Sequence, residues 1–205
     1  FTNDNTLLYD IENVTRFLTQ HQRKDGSFPL VMNGIEKSIP RVINMKNEVT
    51  IVVNTCDAYD DVWALFFKAF DEYWDDCDYR VVLNSEKNQY ISDSKNIETH
   101  LFDGDVSIDN WGERLISTLE SIDSEYVIML YDDFILEENI DKEGLSNAIK
   151  FMGSDVNIAV LYLVNTNIEG AHSQKCGYLE LPQKIDYKLN SAPALWRRKD
   201  ILNYV

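Results

Sequence analysis

The feature that most constrains this chain is an apolar run, Tyr126-Val127-Ile128-Met129-Leu130-Tyr131, that stops abruptly at Asp132-Asp133. It is the most hydrophobic strand candidate in the sequence, and a fully apolar strand implies burial on both faces. Helices packed on each side of a sheet supply that cover. Val49-Thr50-Ile51-Val52-Val53 is a second, β-branched run that also ends in polar residues. After it, Val62, Trp63, Phe66, Phe67, Phe70, Tyr73 and Trp74 fall at helical spacing.

The same rhythm continues along the chain. Residues 79–83 read as a strand ending in Asn84-Ser85, and residues 97–102 as a short third strand. Asn110 reads as an N-cap with Glu113 as its capping-box partner, opening a helix that carries Trp111, Leu115, Ile116, Leu119 and Ile122 on one stripe. A helix over residues 142–152 and a strand over 158–164 follow. This alternation predicts an α/β fold, a doubly wound and mostly parallel sheet with flanking helices. Ligands in such sheets lie beyond the carboxyl ends of the strands. Here those ends are residues 54–61, Asn84-Ser85 and Asp132-Asp133, and all three are polar.

Two parts are expected, an N-terminal extension over 1–47 and the α/β domain over 48–205. Within the extension, residues 10–20 can form a short amphipathic helix through Ile11, Val14, Phe17 and Leu18. Lys24-Asp25-Gly26-Ser27, Pro29 and Pro40 then suggest turns and extended chain. Because the sequence opens on Phe1 and closes at Val205 just after a helix start, it reads as a fragment or processed product.

With 35 acidic and 19 basic side chains the formal charge is −16, a field that repels nucleic-acid backbones. A phosphate-bearing small substrate is still compatible, because one metal ion and one arginine can invert the local potential. Cys56, Cys77 and Cys176 form neither a C-x-x-C pair nor a disulfide framework, which points to a reducing cytoplasm. The sequon Asn13-Val14-Thr15 is expected by chance, and neither a long apolar span nor a signal-peptide pattern occurs.

An apolar strand ending in two carboxylates is a recurrent holder of hard cations, since the strand fixes position and the carboxylates replace the ion's water. A solvated loop or helix cap is the alternative for Asp132-Asp133. The phosphate-loop pattern, the dinucleotide fingerprint and the nucleophile elbow are all absent; the turn after the first strand reads Asn54-Thr55-Cys56-Asp57-Ala58-Tyr59, with no glycine. His21, His100 and His172 show no metal-ligand spacing. Trp63, Phe67 and Trp74 share a buried stripe and read as core, whereas Trp196 lies outside that stripe.

The order of "VTIVVNTCDAYDD", "YRVVLNSE", "WGERLISTLESIDSEYVIMLYDDF" and "SAPALWRRKDIL" resembles bacterial family-2-type glycosyltransferases with a GT-A fold, closest to the capsule and lipooligosaccharide subgroup, over residues 49–205. The resemblance implies a nucleotide-diphospho-sugar donor, a glycan or lipid-linked acceptor, inverting transfer, a cytoplasmic protein with room for peripheral membrane association, and a divalent cation, Mn²⁺ or Mg²⁺. By position it sets Asp57 and Tyr59 beside the nucleoside, Asn84 where the family carries a base-reading aspartate, and Arg114 on the helix facing the nucleotide. Asp132 and Asp133 take the last two positions of the D-x-D metal motif, and Tyr131 stands at the first. Arg197-Arg198 can bind pyrophosphate or cap the last helix. The general base would lie beyond Val205; Asp186 and Glu180 match no family position. Rival readings are a GT-A-like binding or regulatory module without catalysis, or another phosphate-handling α/β enzyme.

Overall fold

The computed structural model describes residues 48–92, 96–105, 110–165, 171–172, 177–182, 186 and 188–205. The expected helix at 10–20, the sequon, His21 and Cys176 lie outside these residues. Strand β1, Val49–Asn54, is buried along its whole length and leads through a 3-10 turn, Asp57–Tyr59, into helix α1, Asp60–Tyr73. Strands β2, Arg80–Ser85, and β3, Ile97–Leu101, precede helix α2, Trp111–Glu120. Strand β4, Tyr126–Tyr131, is followed by helix α3, Lys142–Ser154, and strand β5, Val160–Tyr162. A short antiparallel pair, β6 at Ala171–His172 and β7 at Leu179–Glu180, precedes strand β8, Ala194–Arg197, and helix α4, Arg198–Tyr204.

The six-stranded sheet runs β3-β2-β1-β4-β8-β5, and β6 with β7 forms a separate pair. Strands β1 to β4 are mutually parallel, while β8 enters antiparallel between β4 and β5. The architecture is α/β with a mostly parallel sheet and helices on both faces, as the strand–helix rhythm predicts. Because side chains alternate along a strand, Val53, Leu83 and Leu130 face one side and Asn54, Asn84 and Tyr131 the other. Helix α1 covers the first side, where α3 joins it: Trp74 and Leu145 meet Ile128 and Leu130 there, and the Ile140 amide donates to Tyr73 O at 3.3 Å. Helix α2 covers the second side with α4, where Leu115 and Ile201 meet Met129.

Aromatic residues fill the first side. Phe66 and Phe67 stand edge to face at 5.2 Å, and Tyr90 stacks on Phe67 at 4.6 Å, a geometry that adds to area burial. On the second side the buried stripe of α2 is Arg114, Leu115, Thr118 and Leu119, so two polar residues sit where an apolar stripe was expected. Trp111 stays 38% exposed, outside that stripe. The expected capping box is not formed: Asn110 makes no side-chain cap and donates instead to Asp105 O at 3.0 Å. Asp141 caps α3 by accepting from the Gly144 amide at 2.8 Å, and a Cβ at position 144 would collide with that carboxylate. Strand β5 is shorter than the 158–164 run suggested, because pairing with β8 spans only Val160–Tyr162.

Arg197 ties the far edge of the sheet together. It is 3% exposed, lies over the Tyr126 ring, and donates to Met152 O at 2.8 Å, Asp155 O at 3.2 Å and Glu125 Oε1 at 2.9 Å. The buried Asp200 carboxylate is 3.7 Å from its Nε. Removing the guanidinium strips the Met152, Asp155 and Ile158 carbonyls of a donor and takes the nearest guanidinium from Asp200. Arg197→Met is therefore expected to lower the unfolding free energy by about 3–5 kcal/mol in urea titration. Leu65→Ala, at a position 55% exposed, is expected to change it by no more than about 0.5 kcal/mol.

Candidate functional site

From β1 the chain moves outward to β2 and β3, then returns through α2 to β4 on the other flank of β1. The crevice between the carboxyl ends of β1 and β4 is thus the topological switch point of the sheet, where open α/β folds hold ligands. Backbone pairing extends one residue past the strands, with the Asp132 amide donating to Asn54 O at 3.2 Å. Directly above, the Thr55 hydroxyl donates to Asp132 Oδ2. Its direction is set by Trp63, whose indole Nε1 donates to Thr55 Oγ1 at 2.7 Å. Indole nitrogen is only a donor, so the single hydroxyl proton of Thr55 is left for the carboxylate.

Asp132 is 9% exposed, and Asp133 beside it is exposed. Burial pushes the Asp132 carboxyl above its usual range; the Thr55 bond opposes this and the Asp133 charge adds to it. Tyr131 is half-buried, and burial together with the Asp133 charge raises its phenol as well. Among the described residues, no group of three or more His, Cys, Asp or Glu is arranged to hold a metal ion. A cation bound here would rest on Asp133 and the second oxygen of Asp132, completed by substrate phosphates and water, which suffices for Mg²⁺-type binding.

At the end of β2, Asp57 turns inward. Its carboxylate accepts from the amides of Glu86 at 3.3 Å, Lys87 at 3.1 Å and Asn88 at 3.0 Å, and from the Ser85 hydroxyl at 3.0 Å. Burial raises the Asp57 carboxyl, but the bonds from Asn88, Lys87, Ser85 and Glu86 outweigh it, and the net shift is downward. In return the Asp57 amide donates to Glu86 Oε2 at 3.0 Å. Glu86 Oε1 lies 3.1 Å from Arg114 Nη1, close but not aligned as a hydrogen bond, and Arg114 is 5% exposed. Tyr59, 58% exposed, stands at the same rim just before α1.

Asn84 is fully buried, donating to Asn54 Oδ1 at 2.8 Å and accepting from the Thr118 hydroxyl at 2.8 Å. It braces β2 to β1 and α2 beneath the rim, and Glu86 holds the exposed-side position two residues on. Arg198 is not brought to the other candidates. Strand β8 runs antiparallel, so its carboxyl end meets the amino end of β4, with Tyr126 opposite Arg197. There Arg198 donates to Leu119 O at 3.2 Å and Ser124 O at 2.8 Å, capping the end of α2, where a positive charge is favoured. His100 bonds Ser117 at 3.0 Å on the outer strand β3, and burial pushes the Cys77 thiol up to about 11, which lowers its thiolate fraction at neutral pH. Thr55, Glu86 and the indole nitrogen of Trp63 are site groups that sequence reasoning passed over; only Thr55, inside the polar end of β1, carried a positional signal.

No family model matches this chain, and no curated protein matches it. Among solved structures it is similar to a crystal structure of an active-site mutant of LgtC, at 14% identity and TM-score 0.45, over 75% of this chain and 59% of that one. It is also similar to S. aureus TarS, at 15% identity and TM-score 0.40 over 74% and 47% of the two chains. A third is the bifunctional IspDF from Campylobacter jejuni, at 17% identity and TM-score 0.37 over 74% and 41%. The chain therefore spans between 41% and 59% of the length of these structures.

Two consequences of the geometry are measurable. Thr55→Val leaves the Trp63 indole without its acceptor and removes the hydroxyl donor from Asp132, and is expected to cost about 1–3 kcal/mol in urea titration, with Thr55→Ser restoring most of it. The depressed Asp57 carboxyl contributes stability that is present above its unfolded value of 3.8 and lost as pH falls through the lower folded value. Asp57→Asn is therefore expected to be less stable than wild type at neutral pH, the gap closing in acid, as followed by thermal unfolding across pH.

Proposed function

We propose that the chain is the nucleotide-binding, GT-A-type domain of a glycosyltransferase that moves a sugar from a nucleotide-diphosphate donor to a glycan or lipid-linked acceptor in surface polysaccharide synthesis, with inversion. The observation that carries this reading is the pair Asp132–Asp133 held by Trp63 and Thr55 at the switch point of the sheet. The order of motifs shared with family-2-type enzymes supports it. The protein is read as cytoplasmic and peripheral to the membrane; among the described residues no helix is long and apolar enough to cross one.

In this reading Asp133 and the Asp132 oxygen not bonded to Thr55 would hold a divalent cation, Mn²⁺ or Mg²⁺, that would engage the donor's diphosphate. A bound divalent cation supplies charge stabilisation for the departing nucleoside diphosphate. Asp57 positions the 85–88 loop that frames the nucleoside, with Tyr59 presenting its ring at the rim and Arg114 adding positive potential through Glu86. No residue is assigned as the general base that would take the acceptor's proton. A second reading, a nucleotide-sugar-binding module without turnover, is favoured by one observation, the phenol of Tyr131 in place of the first aspartate of D-x-D.

Calorimetric titration with UDP, GDP and CDP, each with and without Mn²⁺, tests the assignment. One nucleotide is expected to bind in a metal-dependent way, and Asp133→Ala to weaken that binding by about tenfold or more. Arg198→Ala, at the opposite end of the sheet, is expected to leave the dissociation constant within about twofold. Binding that is indifferent to both Mn²⁺ and Asp133 would sink the proposal, and binding without sugar transfer would select the second reading.

A further inference from the structure

A cavity of about 660 Å³ opens on the side of the sheet that α1 and α3 cover, between β4, the first turn of α3 and the connection over residues 134–141. Ile128 and Leu130 form its buried floor. Its mouth is apolar as well, since Phe134 is 37% and Val164 46% exposed there. Every charged side chain that lines it is acidic: Glu137, Glu138 and Asp141, all three exposed. The adjoining Lys142 is held by Asp76 at 2.7 Å and does not line the cavity. Open apolar surface with a charged rim marks a place of association. This one selects a segment that carries an apolar stripe and positive charge together.

The chain carries such a segment itself. Residues 13–24 contain three basic side chains, Arg16, Arg23 and Lys24, and no acidic one, in a protein of formal charge −16. The same stretch supplies Val14, Phe17 and Leu18, which with Ile11 make the stripe of an amphipathic helix. Segment and cavity thus match twice, apolar to apolar and basic to acidic. Reach is ample. Residues 25–48, which join Lys24 to the start of β1, span up to about 80 Å when extended. Strands β1 and β4 are six residues long, roughly 20 Å, so the carboxyl end of β4 lies well inside that radius. A tether of this kind presents its segment at roughly millimolar effective concentration, at which even a weak docking contact is populated.

We propose that residues 11–24 of this chain dock in the cavity, with Val14, Phe17 and Leu18 on its apolar floor and mouth and Arg23 and Lys24 against Glu137 and Glu138. The wall they cover begins at Phe134, the residue after Asp133, whose own amide donates to Tyr131 O at 3.0 Å. Docking therefore braces the connection by which the chain leaves the acidic pair. The proposal stands on the cavity and the segment alone, and does not depend on what binds at the switch point.

The test uses the whole chain. A photoreactive benzoyl-phenylalanine in place of Phe17 is expected to cross-link, within one molecule, to residues 134–145 or 162–164. The same group in place of Ile91, 86% exposed on the β3 flank, is expected to give no such product. Glu137→Lys combined with Glu138→Lys, both at exposed positions that folding tolerates, is expected to lower the cross-linking yield about threefold or more. Adding Arg23→Glu and Lys24→Glu is expected to restore most of it. In the chain without the photoreactive group, Phe17→Ser is expected to speed hydrogen exchange at the amides of residues 134–140. Cross-links that land elsewhere on the domain, or that join two molecules and rise with protein concentration, would overturn the proposal. So would a yield indifferent to charge reversal, or exchange at residues 134–140 unchanged by Phe17→Ser. None of these readouts uses a nucleotide, so failure of the proposed function leaves them to decide the docking on their own.

Discussion

Strand β1 is hydrogen-bonded along both edges, to β2 over Thr50–Asn54 and to β4 over Val49–Asn54, and every residue in it is buried. The rest of the molecule depends on that double pairing. Its register sets Asn54 opposite Asn84 on one side and Tyr131 on the other, so three strand ends coincide at one rim. A slip of one residue would turn the side chains of β1 to the opposite faces. Val53 would then meet the α2 side, and Thr55 would lose Asp132. The site is thus a consequence of register, and the apolar bulk of β1 and β4 is what makes that register unique.

Beneath the rim lies a short polar chain in an otherwise apolar layer: Thr118 to Asn84, Asn84 to Asn54, and Asn54 to the Met129 sulfur. Each member has its partners, so burial is compensated, and each bond adds about 1 kcal/mol while its loss would cost more. What the chain adds is orientation. Helix α2 is locked in rotation against β1 and β2 by Thr118, and Arg114, one turn earlier on the same face, is thereby aimed at Glu86. From that same rotation Trp111 emerges 38% exposed, lining a cavity with Leu115 and Met129.

The fold was legible because β1, β2 and β4 are largely apolar runs with polar punctuation at their carboxyl ends. Asn54, Asn84-Ser85 and Asp132-Asp133 do converge at one rim. Depth was not legible. Asn84 and Ser85 are both polar in sequence, but Asn84 points down into the Thr118 bond while Glu86, two residues on, reaches the rim. Direction failed at β8: "LWRR" reads as a strand leading to arginines, and nothing local says that it runs antiparallel and delivers Arg197 and Arg198 to the opposite end. Long-range partners were equally hidden. Trp63 has the spacing of a core residue, and its ring is core, yet its indole nitrogen reaches back eight positions to Thr55. Asn110 and Glu113 have the spacing of a capping box, but the Asn110 amide turns to Asp105 instead.

The distribution of charge around the rim is uneven in a way that packing does not require. Asp57 is surrounded by three amides and a hydroxyl, and Glu86 stands against Arg114, so both carboxylates are compensated inside the fold. Asp132 has only the Thr55 hydroxyl and its own backbone amide network, and it sits beside a second carboxylate whose charge opposes its ionisation. In a chain of net charge −16 no long-range field relieves that repulsion. An asparagine at 132 would keep the Thr55 bond, pair with the same backbone and remove the repulsion, so stability alone argues against the aspartate. Retaining two uncompensated negative charges at the switch point is understandable if a cation arrives with the ligand, since its charge converts the repulsion into binding energy. On the proposed reading, Trp63 and Thr55 engage one oxygen of Asp132, and the other, with Asp133, would be the one to meet the cation.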